Sequence, residues 1–325
     1  MENLYNVVPY DRQYYKHWND FVAKAKNATF LFHRDFMDYH SHRFEDCSLL
    51  IFKNNILISV LPAHLLNNNL HSHQGLSYGG FVFAPAVSFP DCLEAVKHTL
   101  QYGMAHRIKT LHLKLIPRIY QRFPADEINY LLFLLKARLT RSDLSSCIVI
   151  SESRFAANRQ EGIKRGQRNK LIVKEETDMS SFWNLLLIPQ LHHKYHTRPV
   201  HSLEEIQYLQ QKFPENIRQF NVYDGQTLVA GTTVFETPQV AHTQYIASNS
   251  DKNRLGSLDL LFHHLITEVF TTKKYFDFGI SNENNGQYIN KGLLYWKQGY
   301  GSGSVVHDFY EVDCKNHTLL NTVFI

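Results

Sequence analysis

Three polar stretches of this 325-residue chain carry residue types that can seat a phosphate or move a proton. Residues 249–257 (NSDKNRLGS) lie between a β-rich run and a helical run. A helix start there aims unpaired backbone N–H groups and the positive end of the dipole into the loop, a natural phosphate seat. Arg254 adds charge, while Gly256 and Ser257 permit close approach; an ordinary turn with Ser257 as N-cap fits the same letters. Glu283, in GISNENNG, follows the strand-like run YFDFGI, where open α/β sheets present ligand-binding groups. It can take a proton from an ammonium or hydroxyl acceptor, with Ser281, Asn282 and Asn290 supplying neutral hydrogen bonds. The same residues also suit a plain polar turn. Asp277, inside the strand, is read as orienting a neighbour. In RPVHSLEE, Ser202 and Glu205 form a capping box, which leaves Arg198 and His201 unexplained. A histidine beside a helix N-terminus stays neutral, as a general base must.

Other clusters have weaker claims. Ser72, His73, Tyr78, Gly79 and Gly80 form a glycine-containing turn whose bare backbone can approach a ligand or another strand. His192 and His196 of HHKYH stand four apart on an expected helix but lack the glutamate of HExxH and an evident third ligand, so no metal site is expected. Residues 154–170, with Arg159, Lys164, Arg165, Arg168 and Lys170, suit phosphates, a tRNA backbone or simply a solvated helix face. A net charge of +4 permits a phosphate-bearing ligand without implying DNA. Cys47, Cys92, Cys147 and Cys314 form no CxxC pair, which points to reduced thiols in a cytoplasmic protein. No signal pattern opens the chain and no run approaches 18 apolar residues, so no transmembrane segment is expected.

The elements that must position these residues occur twice. Residues 49–66 read as a hairpin turning at Asn54-Asn55, and residues 220–237 as a hairpin turning at Asp224-Gly225. Each is followed by a strand-like region (70–83; 241–248), a helix, and a strand (110–116; Tyr275–Ile280). The first helix spans residues 91–106 with Leu93, Val96, Leu100 and Met104 on one face; the second carries Leu258, Leu261, Phe262, Leu265 and Val269. A helix joining two strands of one sheet makes them parallel neighbours, so each half is a mixed sheet. Between the halves a helix is expected over 129–139 and a strand over 147–151. The expected class is α/β with mixed sheets, in two domains: 1–147, on which the tail 309–325 packs back, and 148–308.

The stretches HTQYIASNSDKNRLGSLDLLFHHLI and KKYFDFGISNENNGQYINKGLLYWKQGYG, with SHQGLSYGGFVF earlier, resemble the GNAT-superfamily proteins of the FemABX type over about residues 28–312. The resemblance implies two tandem GNAT-like domains and an acyltransferase using an acyl thioester such as acyl-CoA, or an aminoacyl-tRNA. The acceptor implied is an amine or hydroxyl of a small-molecule, peptide, glycan or cell-envelope kind. Lys297 matches the lysine beside the reacting carbonyl, where an ammonium stabilises the developing oxyanion; Trp296 stands next to it. Residues 249–257 match the donor's pyrophosphate cradle, though with a single glycine. Gln244 and Tyr245 fall on the strand where donor and acceptor meet, and the turn around Gly79-Gly80 falls beside the acceptor. A non-catalytic binding module on the same fold is the remaining alternative.

Overall fold

The computed structural model describes residues 4–325, and the chain divides into two units: residues up to Asp143 together with Val306–Ile325, and Leu144–Val305. The first unit opens with β1 (Tyr5–Pro9), α1 (Tyr15–Lys24) and α2 (Arg34–Met37). It continues through β2 (Glu45–Asp46), β3 (Leu49–Lys53), β4 (Ile56–Leu61), β5 (His64–Leu66), β6 (Asn69–His71) and β7 (Val82–Phe83). Then come α3 (Phe89–Ala105), β8 (Thr110–Lys114), α4 (Glu127–Leu134) and the start of β9 (Arg138–Val149). Strands β1-β3-β4-β7 form one antiparallel sheet, and β8-β6-β5-β2 are consecutive neighbours in another.

Asn54 and Asn55 turn the β3–β4 hairpin at φ of 47° and 65°, a conformation asparagine tolerates better than most residues. A second pair, Asn67 and Asn68 at 50° and 59°, turns the β5–β6 hairpin. The strand expected over residues 70–83 is therefore broken in two. Its first part, β6, is the parallel neighbour of β8, and its last part, β7, pairs antiparallel with β4. The repeat is thus less strict than the letters suggested. In α3, Ser88 caps the start, and Leu93, Val96 and Leu100 face inward, but Met104 is 49% exposed. Gly103 takes the inward place, because a Cβ there would come within 2.9 Å of Cys314 Sγ. The helix expected over 129–139 stops at Leu134. Lys136, at φ 51°, turns the chain into a strand that begins at Arg138, well before residue 147.

The second unit holds the rest of β9, α5 (Ala157–Arg168), β10 (Ile172–Glu176), α6 (Ser180–Phe182), α7 (Ile188–Tyr195) and α8 (Leu203–Lys212). Strands β11 (Ile217–Asp224), β12 (Thr227–Glu236) and β13 (Val240–Ser248) lead into α9 (Lys252–Leu255), α10 (Ser257–His264) and β14 (Tyr275–Ile280). A small pair, β15 (Asn282–Glu283) and β16 (Tyr288–Ile289), precedes α11 (Lys291–Gln298) and the start of β17 (Gly303–Asp313), which from Val306 on belongs to the first unit. Sheet order is β10-β11-β12-β13-β14-β9, with β13 and β14 the parallel pair. Leu258, Leu261 and Phe262 of α10, with Leu265 just after it, bury against Phe276 and Phe278 of β14 and against Tyr300. Each such side chain contributes about 1.5–3 kcal/mol by leaving water.

Helix α5 docks on α10 through two glycines. A Cβ on Gly162 would strike the Asp259 carboxylate, and one on Gly166 would come within 2.8 Å of Leu260. Asp259 Oδ1 accepts from Arg159 (2.6 Å) and from the Tyr300 hydroxyl (2.9 Å). Arg159 is thereby committed to an internal ion pair, and Arg168 pairs with Glu161 on the exposed face of the same helix.

Candidate active site in the second unit

Strands β13 and β14 pair over only three positions, Val240–Tyr275, Ala241–Phe276 and His242–Asp277. Beyond them β13 continues to Ser248 with β12, while β14 keeps to β9, its partner from Tyr275 on, and after a register shift meets Ser145 at Ile280. A register shift in the β12–β13 pair leaves Gln244 without a direct partner, between Thr243 (opposite Val234) and Tyr245 (opposite Thr233). Such a bulge bends its strand and strengthens the local twist. The parallel pair therefore opens at its carboxyl ends, where α/β sheets present their ligand sites.

Lys297 belongs to this opening. It lies in α11, 3% exposed. Its Nζ donates to the carbonyls of Gly279 (2.9 Å) and Ile280 (2.7 Å) at the end of β14. Burial pushes its pKa down to about 8, with the Asp277 charge pulling the other way. Trp296 packs on Phe262, Phe278 and Tyr300, as part of the core beneath the site.

Asp277, also 3% exposed, has two donors on one oxygen and a histidine ring nitrogen beside the other. Ser145 Oγ (2.6 Å) and the Gly279 N–H (2.9 Å) reach its Oδ1, and His242 Nδ1 lies 3.0 Å from its Oδ2. Further along the same sheet, His201 Nδ1 is 2.6 Å from the Tyr245 hydroxyl, which also accepts from the His201 N–H at 3.2 Å. Burial raises the Tyr245 pKa to about 12, so it is a neutral phenol at physiological pH. The capping box of Ser202 and Glu205 is present as expected.

Glu283 is exposed, in β15, and accepts from Asn290 Nδ2 at 2.9 Å. Asn290 in turn caps α11 through the Leu293 N–H. Asn282 Oδ1 accepts from Leu144 N at 2.6 Å, and Ser281 is buried with its carbonyl bonded to Asn290 N. These four residues build the β15–β16 turn and its junction with α11. Arg198 is exposed.

The loop over 249–257, expected to cradle the donor's pyrophosphate, is packed against α5. It contains the single-turn α9, and Gly256 at φ 72° occupies the N-cap position of α10, so Ser257 is not the cap. A Cβ on Gly256 would stand 2.1 Å from the Gly162 carbonyl oxygen, so this glycine serves helix packing. Ser257 is fully buried, and Arg254 is on the surface, paired with Asp251 at 2.9 Å. An open groove of about 490 Å³ lies instead at the head of the loop. Leu185, Leu186 and Pro189 give it apolar walls; Gln190, His193, Lys194, Ser248, Asn249, Ser250 and Lys252 give it polar ones. The sequence alone does not single out Lys194, Lys252 or His242; for His242 the available signal was Asp277, a carboxylate inside an apolar strand that had to have partners.

In the first unit the expected acceptor turn is occupied by its own packing. Ser72 Oγ accepts from Lys114 N, Tyr78 donates to Thr29, and Gly79 bridges to Leu115 beside β8. A Cβ on Gly79 would meet the Ser72 carbonyl at 2.0 Å, and Gly80 has φ 91°. The bare backbone at Gly79 thus accommodates the chain's own close approach. His73 is buried among His40, His64 and Phe44, and burial holds its pKa far below the ordinary value. At the end of α7, His196 adopts the left-handed conformation (φ 51°), which removes it from the helical row of His192. Among the described residues no group of three potential ligands is placed to hold a metal, and no helix is long and apolar enough to cross a membrane.

No family model and no curated protein matches the sequence. Solved structures match in fold. FemX is similar with a TM-score of 0.67 at 8% identity, covering 97% of this chain and 99% of that one. L-PGS from Bacillus licheniformis is similar with a TM-score of 0.60 at 9% identity (96% and 94% covered). A tandem GNAT protein from the clavulanic acid biosynthesis pathway gives 0.52 at 12% identity (95% and 98%). The chain has the mixed α/β fold of the FemABX-like tandem-GNAT proteins.

Proposed function

We propose that the protein transfers an acyl group from an acyl-CoA donor to an amine or hydroxyl, with the second unit as the donor-binding domain. The observation that carries this reading is the opening between β13 and β14, with Lys297 Nζ fixed at its edge by two carbonyls. An ammonium has three N–H donors, and the one left over can meet the oxyanion that forms when a nucleophile adds to the acyl carbon. Lys194 and Lys252 supply cations for the donor's phosphates, and the apolar wall of the groove suits its uncharged arm. The bound acceptor is taken to be of the cell-envelope or glycan kind, and the protein to work in the cytoplasm. Likeness in fold to FemX and to a tandem GNAT protein supports acyl transfer as the reaction class.

The test is release of free thiol from a panel of acyl-CoAs in the presence of a panel of amines and amino sugars. The reading expects turnover with at least one pair, and a loss of about 10²–10³-fold in Lys297→Ala, the range of a missing oxyanion donor. No turnover with any pair, together with a salt-sensitive tRNA complex in electrophoretic shift, would move the donor to aminoacyl-tRNA. Silence in both assays and no thermal shift with any acyl-CoA favours a non-catalytic binding module.

A further inference from the structure

We infer that His242 is the proton acceptor of the transfer and that Asp277 is its positioning residue; the inference rests on the acyl-transfer reading above. In β14 the residues alternate: Phe276 and Phe278 enter the core, and Asp277 faces the other side of the sheet with His242 directly across the parallel pair. A carboxylate so deeply buried is tolerable only when its oxygens are filled by donors. Oδ1 receives Ser145 Oγ and the Gly279 N–H; the partner of Oδ2 is His242 Nδ1. With an ionised Asp277, Nδ1 must carry the proton, which fixes the lone pair of the neutral ring on Nε2.

The surrounding backbone is shaped for that ring. Gly279 has φ 72°, and a Cβ there would stand 3.2 Å from His242 Cε1, the carbon next to Nε2. Its bare Cα is the wall of the slot. The imidazole side chain is 20% exposed, at the last position where β13 and β14 remain paired, so it sits at the vertex of the opening. The carbonyl of the same Gly279 anchors Lys297, which ties the proposed proton acceptor and the oxyanion donor to one residue. The bases read from sequence are less well placed: Glu283 is exposed and bonded to the α11 cap, and His201 is 5% exposed with its Nδ1 on Tyr245.

The step balances without any further reactant. The acceptor nitrogen adds to the thioester carbonyl carbon, forming the C–N bond and moving the carbonyl π pair onto oxygen, beside Lys297. His242 Nε2 takes the proton from that nitrogen, and the imidazolium is held by Asp277. When the oxygen pair returns, the C–S bond breaks and the departing thiolate takes the proton back from Nε2. Free thiol and amide are the products.

Two measurements test this. A long-range ¹H–¹⁵N spectrum of the wild-type protein should show the neutral His242 ring protonated at Nδ1 and bare at Nε2, inverted in Asp277→Asn, where the amide can donate to Nδ1. Wild-type protein with Nε2 protonated would overturn the inference whatever the activity. With acetyl-CoA and the amine panel, His242→Gln should lower the rate by about 10²–10⁴-fold, the range of a lost general base, while the Kd for acetyl-CoA is retained. His242→Gln turning over at the wild-type rate would overturn the inference and leave the acyl-transfer reading intact. A wild-type protein that turns over no pair counts against the acyl-transfer reading itself.

Discussion

Replacing Lys297 by methionine should change how stability responds to pH. The Nζ is buried, and its pKa falls from 10.5 to about 8 because a charged ammonium loses more on leaving water than two carbonyls return. A shift of about 2.5 units at about 1.4 kcal/mol each is roughly 3 kcal/mol. The folded protein holds this proton less tightly than the unfolded chain. Between about pH 8 and pH 10.5 the unfolded chain therefore binds more protons, and stability rises with pH across that window. From pH 7.5 to 9.5 the wild type should gain about 2 kcal/mol relative to Lys297→Met. Urea unfolding at both pH values, followed through the fluorescence of buried Trp183 in the same unit, reads the difference. A gap between the two proteins that stays constant with pH would refute the burial of this ammonium and the argument built on it.

Gly256→Ala should cost about 2–5 kcal/mol, since a left-handed backbone and a Cβ 2.1 Å from the Gly162 oxygen both oppose it; an unchanged melting temperature would contradict the α5–α10 packing. Asn290→Ala should lose about 1 kcal/mol with the α11 cap, measurable by thermal unfolding. Glu283→Gln should leave turnover within about threefold, because a group outside the reacting set alters the barrier by less than 1 kcal/mol; a hundredfold loss would restore Glu283 as the base. In a pH–rate profile, kcat/KM should fall above about pH 8 as Lys297 loses its charge; a plateau to pH 10 would exclude the ammonium from the mechanism.

Local chemistry made much of the fold legible. Asn54-Asn55 and Asp224-Gly225 announced their hairpins because only a few residue types accept positive φ, and the apolar rows of α3 and α10 announced their helices. Errors arose where a tertiary contact decided the outcome. Met104 yielded its place to Gly103 because Cys314 of the C-terminal segment needed the room. At Gly256 glycine serves close approach to a backbone, and the letters gave no sign that this backbone is α5. Lys297 was singled out through a resemblance, whereas nothing in the letters singled out His242. The role proposed for it depends on pairing with a residue 35 positions away, and a lone histidine near the start of a strand carries no such signal.

Binding of acetyl-CoA measured by titration calorimetry, for the wild type and for Lys194→Gln/Lys252→Gln, tests most directly whether the second unit holds an activated acyl donor. The account expects a wild-type complex that weakens about 10–100-fold in the double variant, as befits lost charge-assisted bonds worth about 1.5–3 kcal/mol. No heat with any acyl-CoA, or equal affinity in both proteins, would contradict it.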